Sequence, residues 1–302
     1  SVLQEVKVPD PELWSVDAPS LYRAVSTVRI GGRTVDRYET PFGIRFMRFD
    51  ADQGFFLNGE PLKILGVCLH HDLGCLGTAI NRRALERQLE ILKEMGCNAI
   101  RTSHNPPAPE LLELCDRMGF LVQDEAFDMW RKRKSEYDYS RDFPEWYERD
   151  LTDHILRDRN HPSVFMWSIG NEVDYPNDPY SHPVLDGSTI SQPMFGGYNP
   201  AAPNAERIGK IAKRLAACVR SVDTSRPVTG ALAGVVMSNE TEYPEAVDVV
   251  GYNYTEDRYD TDHATYPSRI IYGSENRSDI DAWYAARDRD FIFGQFIWTG
   301  TD

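Results

Sequence analysis

The sequence predicts an α/β fold, a (β/α)₈ barrel preceded by a small β unit. Three observations predict it. From about residue 62 short apolar strands alternate with helices or loops, and eight such strands can be read. Several are continuous apolar runs, such as Val164-Phe165-Met166-Trp167-Ser168-Ile169-Gly170, as expected of parallel strands buried on both faces. Polar groups also gather where these strands end, the edge at which barrels build their sites.

The elements follow in order. Leu21–Ile30 and Thr34–Thr40 are rich in β-branched and aromatic residues and flank Gly31-Gly32, so they predict a hairpin. Residues 1–50 hold too few strands for a complete sandwich and read as its last strands. Phe55–Leu57 and Pro61–Ile64 flank Asn58-Gly59, a type I′ turn signal. The first barrel strand, Ile64–Leu69, ends in His70-His71-Asp72. A helix over 81–95 places Leu85, Leu89, Leu92 and Met95 at helical spacing. Asn98–Arg101 is the second strand, followed by a helix over 109–118 that Gly119 closes. Phe120–Gln123 is the third strand and leads into Asp124-Glu125. A charged segment and a helix near 145–158 precede the fourth strand, which ends in Asn171-Glu172. A long loop over 173–203 and a helix near 204–222 come next. Strands at 227–232, 247–252, 269–273 and 291–298 complete the eight. The chain reaches Asp302 before the helix expected after the eighth strand, and it opens on Ser1 without Met. It therefore reads as part of a longer protein, with apolar surface on the first and eighth strands expected to be exposed or covered by another chain.

Composition excludes several classes. A net charge of −14 argues against nucleic acid or an anionic membrane surface as partner. No apolar run reaches membrane length. The five cysteines form no C-x-x-C and support neither a disulfide framework nor a zinc site. No glycine-rich phosphate loop is present. Compartment stays open.

Seven of the eight strand exits carry candidate site residues: His70; Arg101 and His104; Asp124 and Glu125; Asn171 and Glu172; Asn253 and Tyr254; Glu275; and Trp298. Glu172 and Glu275 stand out, on the fourth and seventh strands. Only barrel closure can bring them together. Paired carboxylates across a cleft are the machinery of glycoside hydrolysis, with separations of roughly 5–5.5 Å for retention and 6.5–9.5 Å for inversion. The bland readings stand beside these. Glu172 could cap a helix, Trp298 could be core, His104 could brace the turn before Pro106, and Asp124 could be structural. His70-His71-Asp72 could suggest a metal, but adjacent strand residues face opposite sides. Arg131-Lys132-Arg133-Lys134 reads as a solvated loop.

The same segments resemble glycoside hydrolase family 2. Leu13–Tyr22 looks like the family's immunoglobulin-like domain, and Phe56–Leu62 like the start of its barrel. Gly66–His70, Arg101–His104, Asp124–Ala126, Ser168–Glu172 and Gly273–Glu275 match its signature segments in order. The resemblance implies a partial immunoglobulin-like β-sandwich over 1–50 and a TIM-barrel catalytic domain over 51–302. It implies a retaining exo-β-glycosidase, with a β-galactosidase as the leading expectation. A β-glucuronidase, another family 2 enzyme or a non-catalytic carbohydrate-binding homologue are the alternatives. Glu172 would be the general acid/base and Glu275 the nucleophile. Asn171 would bind the sugar 2-hydroxyl, Arg101 and Tyr254 would flank Glu275, His70 and His104 would bind hydroxyls, and Trp298 would floor the sugar. Asp124 and Asn253 complete the expected binding set. The expected partner is a carbohydrate. No cofactor is required for the chemistry, while a structural metal ion and oligomerisation of the full-length protein stay open. Cys68-Leu69 stands where the family often has Asn-Arg, His71 where it often has Glu, and Phe127 where Asn is common. The family's N-terminal jelly-roll domain and the segment after the eighth strand are absent from this sequence.

Overall fold

A computed structural model describes residues 3–174, 180–186 and 197–301. Strands β1 (Tyr22–Ile30) and β2 (Arg33–Phe42) form the expected antiparallel hairpin. Its faces leave Val25, Val28, Ile30, Val35 and Tyr38 exposed. A second small sheet joins β3 (Met47–Asp50), β4 (Gly54–Leu57) and β5 (Glu60–Pro61). Asn58 and Gly59 make its tight turn, both at positive φ. Two details differ from expectation. β3 is an additional strand, and the returning hairpin strand is only Glu60–Pro61, shorter than the expected Pro61–Ile64.

The barrel follows in chain order. It runs β6 (Ile64–Leu69), α1 (Arg82–Glu94), β7 (Ala99–Thr102), α2 (Pro109–Met118), β8 (Leu121–Glu125), α3 (Phe143–Asp158), β9 (Val164–Asn171), α4 (Glu206–Val222) and β10 (Val228–Leu232). Short helices α5 (Val235–Ser238) and α6 (Tyr243–Ala246), then β11 (Val249–Asn253), α7 (Tyr259–Thr265), β12 (Ile271–Asn276), α8 (Ile280–Arg287) and β13 (Ile292–Thr301) finish it. The eight strands β6 to β13 are parallel and closed, with β13 pairing back onto β6. Of the loop expected over 173–203, residues 175–179 and 187–196 lie outside the described residues.

Each helix is placed by one apolar stripe and its caps. In α1, Leu85, Leu89 and Leu92 are buried, and the Asn81 side chain accepts from the Ala84 N–H at the N-cap. Met95, expected on that stripe, is the C-cap and is exposed. Helix α2 starts on Pro109 and ends on Gly119 in the left-handed conformation. A Cβ on Gly119 would lie 2.2 Å from the Val16 carbonyl oxygen, so this cap also brings the N-terminal segment against the barrel.

Two apolar cores result. One lies between strands and helices and includes Val164, Trp167, Ile208, Leu215 and Val219. The other fills the barrel and its amino-terminal end, where Phe49 and Phe55 from the small sheet pack on Phe165 and Phe293. That end is plugged by rings, so polar side chains can converge only at the carboxyl end. On the outside, Leu65 and Ile297 of β6 and β13 line a groove of about 360 Å³ with Met95, Ile280 and Trp283.

Candidate active site

Arg101, at the exit of β7, is fully buried at the centre of the barrel mouth. A guanidinium has five N–H donors, and all five have acceptors. Nε and Nη2 donate to the two Glu125 oxygens, both at 3.0 Å. Nη2 also donates to Asn171 Oδ1 at 2.7 Å. Nη1 donates to Glu275 Oε2 at 2.8 Å and to the Ser274 carbonyl at 2.9 Å. Arg101 therefore ties four strands together through named atoms.

Glu275 accepts at both oxygens, because Tyr254 Oη donates to its Oε1 at 2.6 Å. Asn253 sits opposite Glu275 in the β11–β12 register. Its amide nitrogen lies 3.1 Å from Glu172 Oε1 and 3.4 Å from Glu275 Oε2. One nitrogen reaching both holds these two oxygens no further apart than 6.5 Å, the sum of those reaches. The backbone at Glu172 (φ 45°) and Tyr254 (φ 54°) is left-handed, a conformation side chains seldom adopt. Such positions concentrate where a side chain must be aimed against local preference. Among the described residues, Val173 and Asp174 after Glu172 form a turn and not the first turn of a helix.

The two carboxyls differ in environment. Burial first, and the neighbouring Glu275 charge second, push the Glu172 carboxyl up to about 7. The Asn253 amide and Lys134 act the other way without overcoming them. Burial would also raise Glu125, but Arg101 and His104 outweigh it and hold that carboxyl at about 2. The Cys68 thiol, buried below Arg101, is pushed up to about 12 by desolvation. It is an inert wall near neutral pH.

An aromatic wall closes one side. Trp298 stacks on His104 with ring centres 5.3 Å apart and planes 5° from parallel. His70 meets Trp298 edge-on at 4.7 Å. His104 is anchored by its Nδ1, 2.7 Å from Glu125 Oε1. Trp298 is half-buried, packed against the inner core at the barrel mouth.

Asp124 requires a correction. Its side chain points away from this cluster, to the helix side of β8, where Oδ1 lies 2.9 Å from His154 Nε2. Adjacent strand residues face opposite sides, so with Glu125 inward Asp124 must be outward. Asp124, His154 and Asp158 are also the one group among the described residues spaced to hold a metal, with ligand atoms within 4.8 Å. Their two carboxylates are already matched by His154 and by Arg157 on Asp158, so the cluster reads as a buried ion-pair network. Burial opposes charge on His154, yet the two aspartates outweigh it and raise it to about 9 from 6.5. Its stabilisation is therefore full below about pH 6.5 and lost as pH rises through 9. Asp124→Asn is expected to cost about 3 kcal/mol of stability while changing kcat less than about threefold. Thermal melts and initial rates on one preparation check this, and a large kcat loss would return Asp124 to the site.

Sequence reasoning missed two contributors. Lys134, read as part of a solvated run, reaches Asp128 Oδ1 and the Asn171 carbonyl, both at 2.8 Å. Asp128 in turn accepts from Asn171 Nδ2 at 3.0 Å. Asn171 is thus held from three directions, by Arg101, Asn253 and Asp128. Nothing in a run of four basic residues marks the last as half-buried and paired.

Fold and site together define an α/β barrel with a carboxylate pair at the carboxyl ends of its fourth and seventh strands. The chain belongs to family 2 of the glycosyl hydrolases. Residues 50–261 match "Glycosyl hydrolases family 2, TIM barrel domain", and residues 1–45 match "Glycosyl hydrolases family 2". The chain is 43% identical to a β-galactosidase, BoGH2A, of Bacteroides ovatus, over 99% of its own length and 41% of that protein's. A putative β-glucuronidase of Formosa agariphila is 44% identical over 56% of the chain and 16% of its own length. A solved family 2 glycosyl hydrolase from Bacteroides cellulosilyticus superposes with a TM-score of 0.82 at 40% identity, covering 96% of this chain and 34% of that one. The chain thus spans less than half the length of these relatives.

Proposed function

We propose that this chain carries the catalytic centre of a retaining exo-β-glycosidase that hydrolyses terminal β-galactosides. The observation that carries the reading is the Asn253 amide, which touches both Glu172 and Glu275. It holds one oxygen of each carboxyl within 6.5 Å, consistent with the close pair a double displacement needs and excluding the wider inverting separations. Glu172, held protonated, donates to the leaving oxygen as Glu275 attacks the anomeric carbon. Water activated by Glu172 then releases the sugar from Glu275. Arg101 and Tyr254 orient the nucleophile. Asn171, His70, His104 and Asn253 contact sugar hydroxyls, and Trp298 supplies an apolar face.

The galactoside is favoured by the B. ovatus relative, and the F. agariphila relative supports a β-glucuronide as second reading. We assign residues 51–302 to the catalytic barrel and 1–50 to a partial immunoglobulin-like sandwich. The two family matches and the exposed apolar hairpin support that division. The test is initial rates on a panel of nitrophenyl β-glycosides. The β-galactoside is expected to give the highest kcat/KM. Preference for the glucuronide would replace the assignment, and sugar binding without turnover on any would make the chain a carbohydrate-binding homologue.

A further inference from the structure

Glu125 is a third carboxylate in the cluster, and it binds Arg101 differently from Glu275. It takes the two-pronged edge of the guanidinium, Nε and Nη2, at 3.0 Å each. Glu275 receives a single Arg101 N–H at one oxygen and the Tyr254 hydroxyl at the other. Parallel two-pronged contact is the strong, geometrically fixed mode of an arginine–carboxylate pair. Because Glu125 occupies it, Arg101 cannot chelate Glu275. Glu125 is itself held. It is fully buried, opposes Ser168 in the β8–β9 register, and accepts from Ser168 Oγ at 2.6 Å and Gln123 Nε2 at 3.3 Å. Its own N–H donates to Thr102 Oγ1 at 3.0 Å.

The same carboxylate orients His104. Nδ1 is 2.7 Å from Glu125 Oε1, the contact of an N–H donated to a carboxylate. With Nδ1 so committed, Nε2 is turned toward Glu275, 3.8 Å from its Oε2. One side chain thereby sets the approach of both Arg101 and His104 to the nucleophile.

We propose that Glu125 is a positioning residue for the glycosylation step. It holds Arg101 edge-on, so that Glu275 is oriented by one hydrogen bond yet remains free to attack, and it fixes His104 with Nε2 facing the sugar. Without that carboxylate, Arg101 swings its two-pronged edge onto Glu275 and the nucleophile is paired instead of poised. This deepens the proposed function and rests on Glu275 as nucleophile.

The test compares Glu125→Gln and Glu125→Asp in the full chain, using a dinitrophenyl β-glycoside whose leaving group needs no proton. Single-turnover measurement of aglycone release then reads nucleophilic attack, separately from Glu172. Glu125→Gln is expected to slow this step about 100-fold, the scale of a misplaced reacting group. With a poorer leaving group, which needs the Glu172 proton, it should also move the basic limb of the pH–rate profile to lower pH, because the cluster has lost one negative charge. Glu125→Asp, which keeps the charge on a shorter stem, should recover part of the rate and restore the limb. A purely structural role would instead lower the melting temperature of both variants equally and leave the limb in place. Wild-type glycosylation rates in folded Glu125→Gln would overturn the proposal. Should that variant fail to fold, a wild-type rate in Glu125→Asp would overturn it as well. Failure of the functional reading looks different, since Glu275→Gln would then turn over normally whatever is done to Glu125.

Discussion

Glu275→Gln is expected to lower kcat on nitrophenyl β-glycosides by about 10⁴-fold or more, the scale seen when an enzyme loses its nucleophile. The substitution changes little else. Glutamine has the same shape, and its amide oxygen can still accept from Arg101 Nη1 or Tyr254 Oη, the donors 2.8 and 2.6 Å from the carboxylate. Arg101 keeps Glu125 as its counter-charge, so no unpaired buried cation is created. The protein should therefore fold, bind sugar and fail only at bond formation, because an amide does not attack the anomeric carbon. Sugar affinity by calorimetry and kcat on the same sample separate these effects. Unchanged kcat would remove Glu275 from the reaction.

Glu172→Gln should behave differently, and the difference follows from its environment. Its carboxyl sits at about 7, raised by burial and by the Glu275 charge. A proton donor must be protonated to act, so wild-type activity should fall as pH rises through about 7. In the proposed mechanism esterification of Glu275 removes its charge, and with it the second cause of the raised value, which favours Glu172 acting as a base toward water. Glu172→Gln is expected to lose about 10²- to 10⁴-fold with poor leaving groups and to show no basic limb. With a dinitrophenyl leaving group the first step should be largely spared. Azide, which needs no base, should then accelerate release of the sugar. Matching losses with good and poor leaving groups would contradict the acid role.

The barrel was legible because parallel strands buried on both faces leave continuous apolar runs, and helices between them repeat at 3.6 residues. Elements too short for either period were not. β3 has four residues, and α5 and α6 four each. The site was legible as a set of strand exits, because exits share one end whenever all strands are parallel. Which of two adjacent exit residues faces inward was not. Asp124 and Glu125 are equally acidic, and only closure of the barrel turns Glu125 toward Arg101 and Asp124 toward His154. Lys134 shows a second limit. Its pairing depends on Asp128 and the Asn171 carbonyl, which come from different strand exits, and local composition carries no trace of that.

The central claim is that Glu275 forms a bond to the sugar while Glu172 handles the proton. Incubation with a 2-deoxy-2-fluoro β-galactoside bearing a dinitrophenyl leaving group, followed by mass spectrometry of the intact chain and its peptides, tests it most directly. The fluorine slows both steps and the leaving group restores only the first, so the intermediate accumulates. The expected result is one fluorosugar per chain, on the peptide containing Glu275 and at that residue. An adduct on Glu172, on Glu125 or elsewhere, or turnover of the ordinary galactoside with no adduct under any loading, would contradict it.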